Sequence, residues 1–368
     1  MRAIISGGGT AGHVTPAIAI AEIILEKEPE SDILFIGREG GDENEIILRK
    51  GFKLEKIKIS GLKRSFSIDS AKSILKAISA LKDSKRLIKD FNPQVVIGTG
   101  GYVSWPVLRA AQRLKIANII HESNVCPGLS VKLLASKCDR ILLNFGCDEK
   151  ELFSKKKNLR IVGNPLPSDI IKESKESARR KLGYSKNDFV ILSFGGSGGA
   201  KAINDHALTL MKNYSYTSAG VKHVHATGKK YYAEYKEKYP HLAKGKNGCI
   251  IHPYINNMHL YMKSADLIIC RCGAMTLSEI ATTNAVPILI PSTNVTDNHQ
   301  YKNARLFTDK GAAIMIEESE LCERTLLDAV RYLENNPLIR KRMSGIMHSF
   351  SKLDSREAIY NEIISVLK

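Results

Sequence analysis

Two glycine-rich turns, nearly half a chain apart, each join a short apolar run to a longer, helix-like segment. The first runs Ala3-Ile4-Ile5-Ser6 into Gly7-Gly8-Gly9-Thr10-Ala11-Gly12-His13 and on from Pro16 to Leu25. The second runs Val190-Ile191-Leu192-Ser193-Phe194 into Gly195-Gly196-Ser197-Gly198-Gly199 and on from Ala200 to Met211. Glycine at such a turn brings backbone N–H groups close to a ligand, with a helix N-terminus behind them. A duplicated strand–turn–helix unit predicts an α/β fold of two Rossmann-like domains facing each other across a cleft. Such a fold suits joining two substrates, one held by each half.

The rest of the chain has the same rhythm. Strands are expected at Ala3–Ser6, Ile33–Ile36, Val95–Ile97, Ile116–His121 and Arg140–Asn144 in the first half. In the second half they are expected at Val190–Phe194, His223–Ala226, Cys249–His252, Leu267–Cys270, Val286–Ile290 and Ala312–Ile316. Helix-length segments between them are the mark of mostly parallel sheets. Val162-Gly163-Asn164-Pro165 closes the first half, and Asp169–Lys186 reads as one helix and a loop. The expected domains are 1–163 and 164–350. Residues 351–368, with Ala358, Ile359, Ile363, Ile364, Val366 and Leu367 at helical spacing, are expected to form a helix that packs back on the first domain.

A length of 368 residues exceeds one ordinary core, and 43% apolar with 25% charged residues is globular composition. Met1-Arg2-Ala3-Ile4-Ile5 leads straight into Gly7, so no signal peptide is expected, and no apolar stretch approaches spanning length. The seven cysteines lie mostly in apolar segments, and Cys270-Arg271-Cys272 lacks zinc spacing, which points to reduced thiols in a cytoplasm. The net charge of +17 suits an anionic membrane, an anionic substrate or simply a basic surface. Nucleic acid is disfavoured, because no basic-aromatic recognition motif is present.

Several polar clusters fall at strand ends, the edge where open α/β sheets bind ligands. Gly7-x-Gly9-x-x-Gly12 matches a dinucleotide fingerprint, but the second strand ends Phe35-Ile36-Gly37-Arg38 with Glu39 one step beyond. His13 follows the loop where a small residue is usual; it reads as a base near neutrality or as a residue bonding its own loop. Gly98-Thr99-Gly100-Gly101-Tyr102-Val103-Ser104 and His121-Glu122-Ser123-Asn124 reach the same edge, as an acceptor site or as ordinary turns. In the second half, Cys270-Arg271-Cys272-Gly273-Ala274-Met275-Thr276-Leu277-Ser278-Glu279 follows a strand and opens a helix whose first turn suits a diphosphate. Glu279 is placed to accept ribose hydroxyls. Asp297-Asn298-His299-Gln300 offers donors and acceptors for a sugar, or a plain helix cap at Asp297.

Taken together, GGGTAGH at Gly7–His13, GTGGYVSWP at Gly98–Pro106, HESN at His121–Asn124, VGNP at Val162–Pro165, GGSGGA at Gly195–Ala200, CRCGAMTLSE at Cys270–Glu279 and DNHQ at Asp297–Gln300 closely resemble the MurG family. The resemblance covers essentially the whole chain. It implies the GT-B fold and inverting transfer of N-acetylglucosamine from UDP-GlcNAc to the C4 hydroxyl of lipid I, making lipid II for peptidoglycan synthesis. It also implies peripheral attachment at the cytoplasmic face of the inner membrane, and no cofactor or metal. By position, Thr10, Ala11, Gly12 and Asn124 would contact the donor from the first domain, and Ser197 and Gly198 its diphosphate. Ile255 would hold the uracil through its backbone. Ala274, Met275, Thr276, Leu277, Ser278 and Glu279 would line the diphosphate and ribose, and His299 and Gln300 the sugar. Tyr102 and Ser104 would lie on the acceptor side. The base is left open among His13, which we favour, His121 and Glu122.

Three positions depart from the family pattern. Ala11 stands where glycine is usual, Ser123 where glutamine is usual, and Pro167 where an arginine commonly follows Asn-Pro-Val. Lys201 is a candidate replacement for that cation. Segment Ser70–Asp90 sets Ile74, Leu75, Ile78, Leu81 and Ile88 among Lys72, Lys76, Lys82, Lys85, Arg86 and Lys89, a face for an anionic leaflet or an ordinary helix covering the sheet. No Asp-x-Asp pair flanks the glycine loops, so backbone amides and helix ends are expected to stabilise departing UDP. Competing readings are a diacylglycerol glycosyltransferase-like enzyme, a nonenzymatic nucleotide-sugar-binding subunit and a dehydrogenase.

Overall fold

The computed structural model describes residues 1–9, 11–41, 44–60, 68–146 and 158–367. The chain divides into two units, Met1–Leu166 with Lys352–Lys368, and Pro167–Ser351. In the first, β1 (Arg2–Ser6), α1 (Ala11–Lys27), β2 (Asp32–Arg38), α2 (Asn44–Arg49), β3 (Lys53–Ile57) and α3 (Ile68–Phe91) come first. They are followed by β4 (Val95–Gly98), α4 (Gly101–Leu114), β5 (Ala117–Glu122), α5 (Leu129–Leu134), β6 (Arg140–Leu143) and β7 (Leu159–Ile161). All pairings are parallel, in the order β3-β2-β1-β4-β5-β6-β7. Order reverses between β1 and β4, the switch point at which open sheets leave a crevice beyond their carboxyl ends.

Period-two alternation decides which residue meets which layer. Ile4, Ile36, Val96 and Ile120 face α3, α4 and α5. Ala3, Ile5, Phe35, Val95, Ile97 and Ile119 face α1 on the other side. The helix α16 (Ser355–Ser365) joins that second face through Ile359 and Ile363, one turn apart and fully buried. Tyr360 donates to Glu28 Oε1 (2.8 Å), and Arg356 pairs with Glu26 (2.5 Å) while donating to the Leu166 carbonyl (2.9 Å).

The second unit begins with α6 (Ser168–Lys172) and α7 (Lys175–Leu182), then β8 (Phe189–Phe194), α8 (Lys201–Leu210), β9 (Val221–Ala226), α9 (Lys229–Lys238), α10 (Pro240–Ala243) and β10 (Cys249–His252). It continues with α11 (Met258–Ser264), β11 (Leu267–Cys270), α12 (Ala274–Ala281), β12 (Val286–Leu289), α13 (His299–Thr308), β13 (Ile314–Met315), α14 (Glu323–Asn335) and α15 (Pro337–His348). Its parallel order, β10-β9-β8-β11-β12-β13, repeats the first sheet's pattern with its switch point between β8 and β11. Arg179 (7% exposed) and Lys175 bind the two carboxylate oxygens of Asp266 at 2.7 Å each, tying α7 to the start of β11.

Several expectations are corrected. The stretch Asp169–Lys186 forms two helices, because Glu173 turns extended after the first and Ser174 caps the next by accepting from Ser177 N–H (3.1 Å). Strands β3 and β7 were not expected. Both are edge strands, and Lys53, Glu55 and Lys56 give β3 the charged pattern that protects an edge. The last strand shrinks to two residues. Cys126 and Cys322 are exposed, whereas Cys138, Cys249, Cys270 and Cys272 are buried; Cys147 lies outside the described residues. On α3, Ala80, Ser84, Leu87 and Ile88 are core, Leu81 packs partly on it, and Ile78 is exposed. Part of the lysine-edged stripe is therefore core packing. The side chains of Lys72, Ile74 and Leu75 lie outside the described residues.

Candidate active site

In the first unit, two turns at the switch point interlock. Thr99 N–H donates to the Ser6 carbonyl (3.0 Å), and Thr99 Oγ1 donates to the His13 carbonyl (2.7 Å). A Cβ on Gly101 would fall 2.0 Å from the Gly8 oxygen, so the two backbones touch only because that residue is glycine. The half-buried His13 imidazole lies on this turn, with Cδ2 2.9 Å from where a Gly100 Cβ would stand. The Tyr102 ring lies against Gly9. Ala11 and Gly12 open α1, Gly12 exposed; Thr10 and the Ala11 side chain lie outside the described residues.

The other two candidate bases sit differently. His121, at the end of β5, is fully buried, and its Nε2 bonds the Gly163 carbonyl at 3.0 Å. Burial lowers its pKa to about 4, which holds the ring neutral. Glu122 is buried as well: Oε1 accepts from Asn124 N–H (2.9 Å) and Nδ2 (3.1 Å), and Oε2 from Gly128 N–H (2.9 Å). Burial raises its pKa against those bonds. His121 and Glu122 thus shape the loop that carries Asn124. Ser104 is likewise interior, its hydroxyl donating to the Gly101 carbonyl (2.9 Å), so it supports the turn from behind.

In the second unit, the candidate donor residues line the carboxyl edge of the sheet. Gly196, Ser197 and Gly198 are exposed beyond β8. A Cβ on Gly199 (φ +75°) would fall 2.1 Å from the Thr227 oxygen, so this turn rests directly on the one after β9. Ile255, past β10, buries its side chain and pins the loop between exposed Tyr254 and Asn256. Past β11, Gly273 caps α12 with no side-chain bond. Ala274, Met275, Leu277 and Ser278 are buried beneath, while Thr276 and Glu279 are half-buried. Glu279 makes no side-chain hydrogen bond or ion pair among the described residues, and desolvation raises its pKa to about 7.

Past β12, Gln300 Oε1 accepts from Ser292 N–H (2.9 Å) and Cys272 N–H (3.3 Å), joining two loops. Sequence reading missed Asn303, one turn further on, which donates to the Cys272 carbonyl (3.1 Å). It also missed Arg271, whose guanidinium donates to the Ile290 and Pro291 carbonyls and pairs with Glu318. His299 Nδ1 bonds the Thr296 carbonyl (2.9 Å). Helix α13 is capped by Asn298 in the left-handed region without a side-chain bond, so Asp297 is not its cap. Lys201 is exposed and paired with Asp205 (2.8 Å) one turn along its own helix, a surface pair that solvent screens. Burial raises the thiol pKa of Cys270 and Cys272. Among the described residues, no group of three His, Cys, Asp or Glu side chains is set to hold a metal, and no helix is long and apolar enough to cross a membrane.

Residues 3–143 match the glycosyltransferase family 28 N-terminal domain, and residues 190–357 its C-terminal domain. A protein of Acetivibrio thermocellus named UDP-N-acetylglucosamine--N-acetylmuramyl-(pentapeptide) pyrophosphoryl-undecaprenol N-acetylglucosamine transferase is 39% identical over 368 residues, covering 100% of this chain and 99% of its own. A protein of the same name from Caldanaerobacter subterraneus is 38% identical, with both chains fully covered. The crystal structure of Acinetobacter baumannii MurG superposes with a TM-score of 0.77 at 23% identity over 99% of each chain, which shows a shared fold. With both family domains matched in order, and relatives this similar along its entire length, the chain belongs to the family 28 glycosyltransferases that carry this N-acetylglucosamine transferase name.

Proposed function

We propose that this protein transfers N-acetylglucosamine from UDP-GlcNAc to the C4 hydroxyl of lipid I, the undecaprenyl-pyrophosphoryl acceptor in its relatives' name, with inversion. The observation that carries the donor half is Glu279. A half-buried carboxylate with its pKa raised to about 7 by desolvation, and with no side-chain partner among the described residues, is poised to accept the two hydroxyls of a ribose. The exposed turn at Gly196–Gly198 and the first turn of α12 present N–H groups to the diphosphate and meet the charge that grows on departing UDP. Ile255 offers its backbone to the uracil, and His299 and Gln300 serve the sugar. By resemblance to the family, Thr10, Ala11, Gly12 and Asn124 would contact the donor and Tyr102 would serve the acceptor.

His13 is the base: it takes the C4 proton as that oxygen attacks the anomeric carbon and the bond to UDP breaks. It is preferred to His121 and Glu122 because their polar atoms are buried and hold Gly163, Asn124 and Gly128. The protein works as a peripheral enzyme on the anionic inner face of the membrane, with the first unit, through the lysines of α3, as the membrane side. Transfer from labelled UDP-GlcNAc to a lipid I analogue, run with and without EDTA, tests this. Turnover that survives EDTA is expected. Binding of UDP-GlcNAc without turnover would leave a nucleotide-sugar-binding subunit, and strict dependence on added Mg²⁺ or Mn²⁺ would overturn the backbone account of the leaving group.

A further inference from the structure

Behind the second glycine turn runs an unbroken line of buried polar side chains. Ser193 on β8 stands beside His225 on β9, and His223 lies two residues back on the same face. The side chains of Ser193, Asn204, Ser215, His223 and His225 are all fully buried. Asn204 Nδ2 donates to the Thr227 carbonyl (2.8 Å), which turns Asn204 Oδ1 toward His225 Nε2 (3.1 Å). His225 Nε2 therefore carries the proton. Its Nδ1 accepts from the Ser193 hydroxyl (2.7 Å), and Ser193 Oγ in turn accepts from His223 Nε2 (2.8 Å). His223 Nδ1 is left to accept from the Ser215 hydroxyl (2.9 Å), on the π-helical turn Met211–Ser215. Burial keeps both imidazoles neutral, lowering the pKa of His225 to about 3 and that of His223 well below its usual value.

Every proton in the line is thus assigned by one carbonyl. The donors point one way, from Ser215 to Thr227, and aligned bonds of this kind reinforce one another in a dry interior. Five polar groups have no local reason to sit in a sheet–helix layer that apolar residues would fill at less cost. What they gain is the position of Thr227: its carbonyl bears on Gly199, and Gly198 bears on Gly228.

We propose that the line Ser215–His223–Ser193–His225–Asn204 consists of positioning residues that set the Gly195–Gly199 turn for the diphosphate of the donor. The inference rests on the donor reading above, because it gives that turn a ligand.

The test uses the full-length protein. UDP affinity, donor KM and kcat, and amide exchange over 195–200 without nucleotide are measured for wild type, Asn204→Ala, Ser215→Ala and Ile251→Val, a buried residue of β10 off the line. Asn204→Ala should weaken UDP binding and raise donor KM about tenfold, as loss of a buried hydrogen-bond partner does, with kcat at saturating donor within about twofold. Exchange over 195–200 should quicken by about the same factor. Ser215→Ala, at the far end, should move the same quantities by a few-fold, and Ile251→Val none of them. Unchanged exchange and UDP affinity in Asn204→Ala, or an equal shift in Ile251→Val, overturns the proposal. If Asn204→Ala does not fold, unchanged values in Ser215→Ala overturn it. Wild type that fails to bind UDP removes the donor reading and the inference with it; wild type that binds UDP while Asn204→Ala matches it removes the inference alone.

Discussion

Glu279 carries a cost in the free protein that its proposed ligand would relieve. Its carboxyl titrates near 7 in the folded chain, against 4.5 for an unperturbed glutamate. Between those values the folded state keeps a proton that the unfolded state has released, so stability is full below the lower value and falls as pH rises through the window. Glu279→Gln removes that penalty. The variant should unfold like wild type at pH 4 and be more stable at pH 8, by up to about 3 kcal/mol at roughly 1.4 kcal/mol per unit. The same change should raise the donor KM about tenfold, since a hydrogen bond to a charged group is worth about 1.5–3 kcal/mol. Thermal melts at the two pH values check the first part and steady-state kinetics the second. A variant that gains no stability at pH 8, or keeps its donor KM, removes the ribose role. His13 makes the opposite kinetic prediction. A general base contributes about 10²–10⁴-fold, so His13→Ala should lower kcat by that order and leave UDP affinity near wild type. Collapse in Glu122→Gln with His13→Ala unaffected would reassign the base.

The elements that were legible in the sequence are those whose burial leaves a pattern. Strands β1, β4, β8 and β11 are covered on both faces and read as short apolar runs, and the glycine turns after them stand at both switch points. Edge strands β3 and β7 gave no such signal, since one flank of each is open and charged side chains suit it. Side-chain lines are harder still to read. Asn204 in a helix and His223 and His225 in a strand look ordinary until folding brings α8 across the sheet. Helix α3 shows a pattern with two causes. Its Ala80, Ser84, Leu87 and Ile88 face the sheet, whereas Ile78 is 60% exposed with Lys76, Lys82 and Lys85 on the open side. Membrane attachment through α3 therefore needs its lysines and the apolar residues toward its start. Changing Lys72, Lys76, Lys82 and Lys85 to glutamine removes up to about 4 kcal/mol of attraction if each cation lies near an anionic surface. Co-sedimentation with anionic vesicles should drop sharply, wild-type binding should weaken with salt, and turnover on a short-chain soluble acceptor should persist. A quadruple variant that sediments like wild type would place the membrane face on another surface.

At the scale of the whole molecule, the chain passes between its units twice, at Leu166–Pro167 and at Ser351–Lys352, and its last helix belongs to the unit that holds its first strand. Ile359 and Ile363 fill the same core as Ile5, Ile20 and Ile24, more than 300 residues earlier in the sequence. That core contains no residue of the second unit, whose apolar side chains form clusters of their own. Removing side-chain volume from α16 should therefore loosen one unit and spare the other. Truncating a buried isoleucine to alanine costs about 2–5 kcal/mol, so Ile359→Ala with Ile363→Ala should increase amide exchange across β1, β2, β4 and α1. Exchange across β8, β9 and β11 should remain near wild type. UDP should act on the opposite half: a ligand at about a hundred times its Kd stabilises the state it binds by about 2.7 kcal/mol. In the double variant, UDP should slow exchange in the second sheet as much as in wild type and leave the loosened first sheet open. If both sheets loosen together, the two units unfold as one cooperative block despite their separate cores. If UDP protects the first sheet instead, the donor belongs there, and the assignment of Glu279 and the Gly195–Gly199 turn to the nucleotide is wrong.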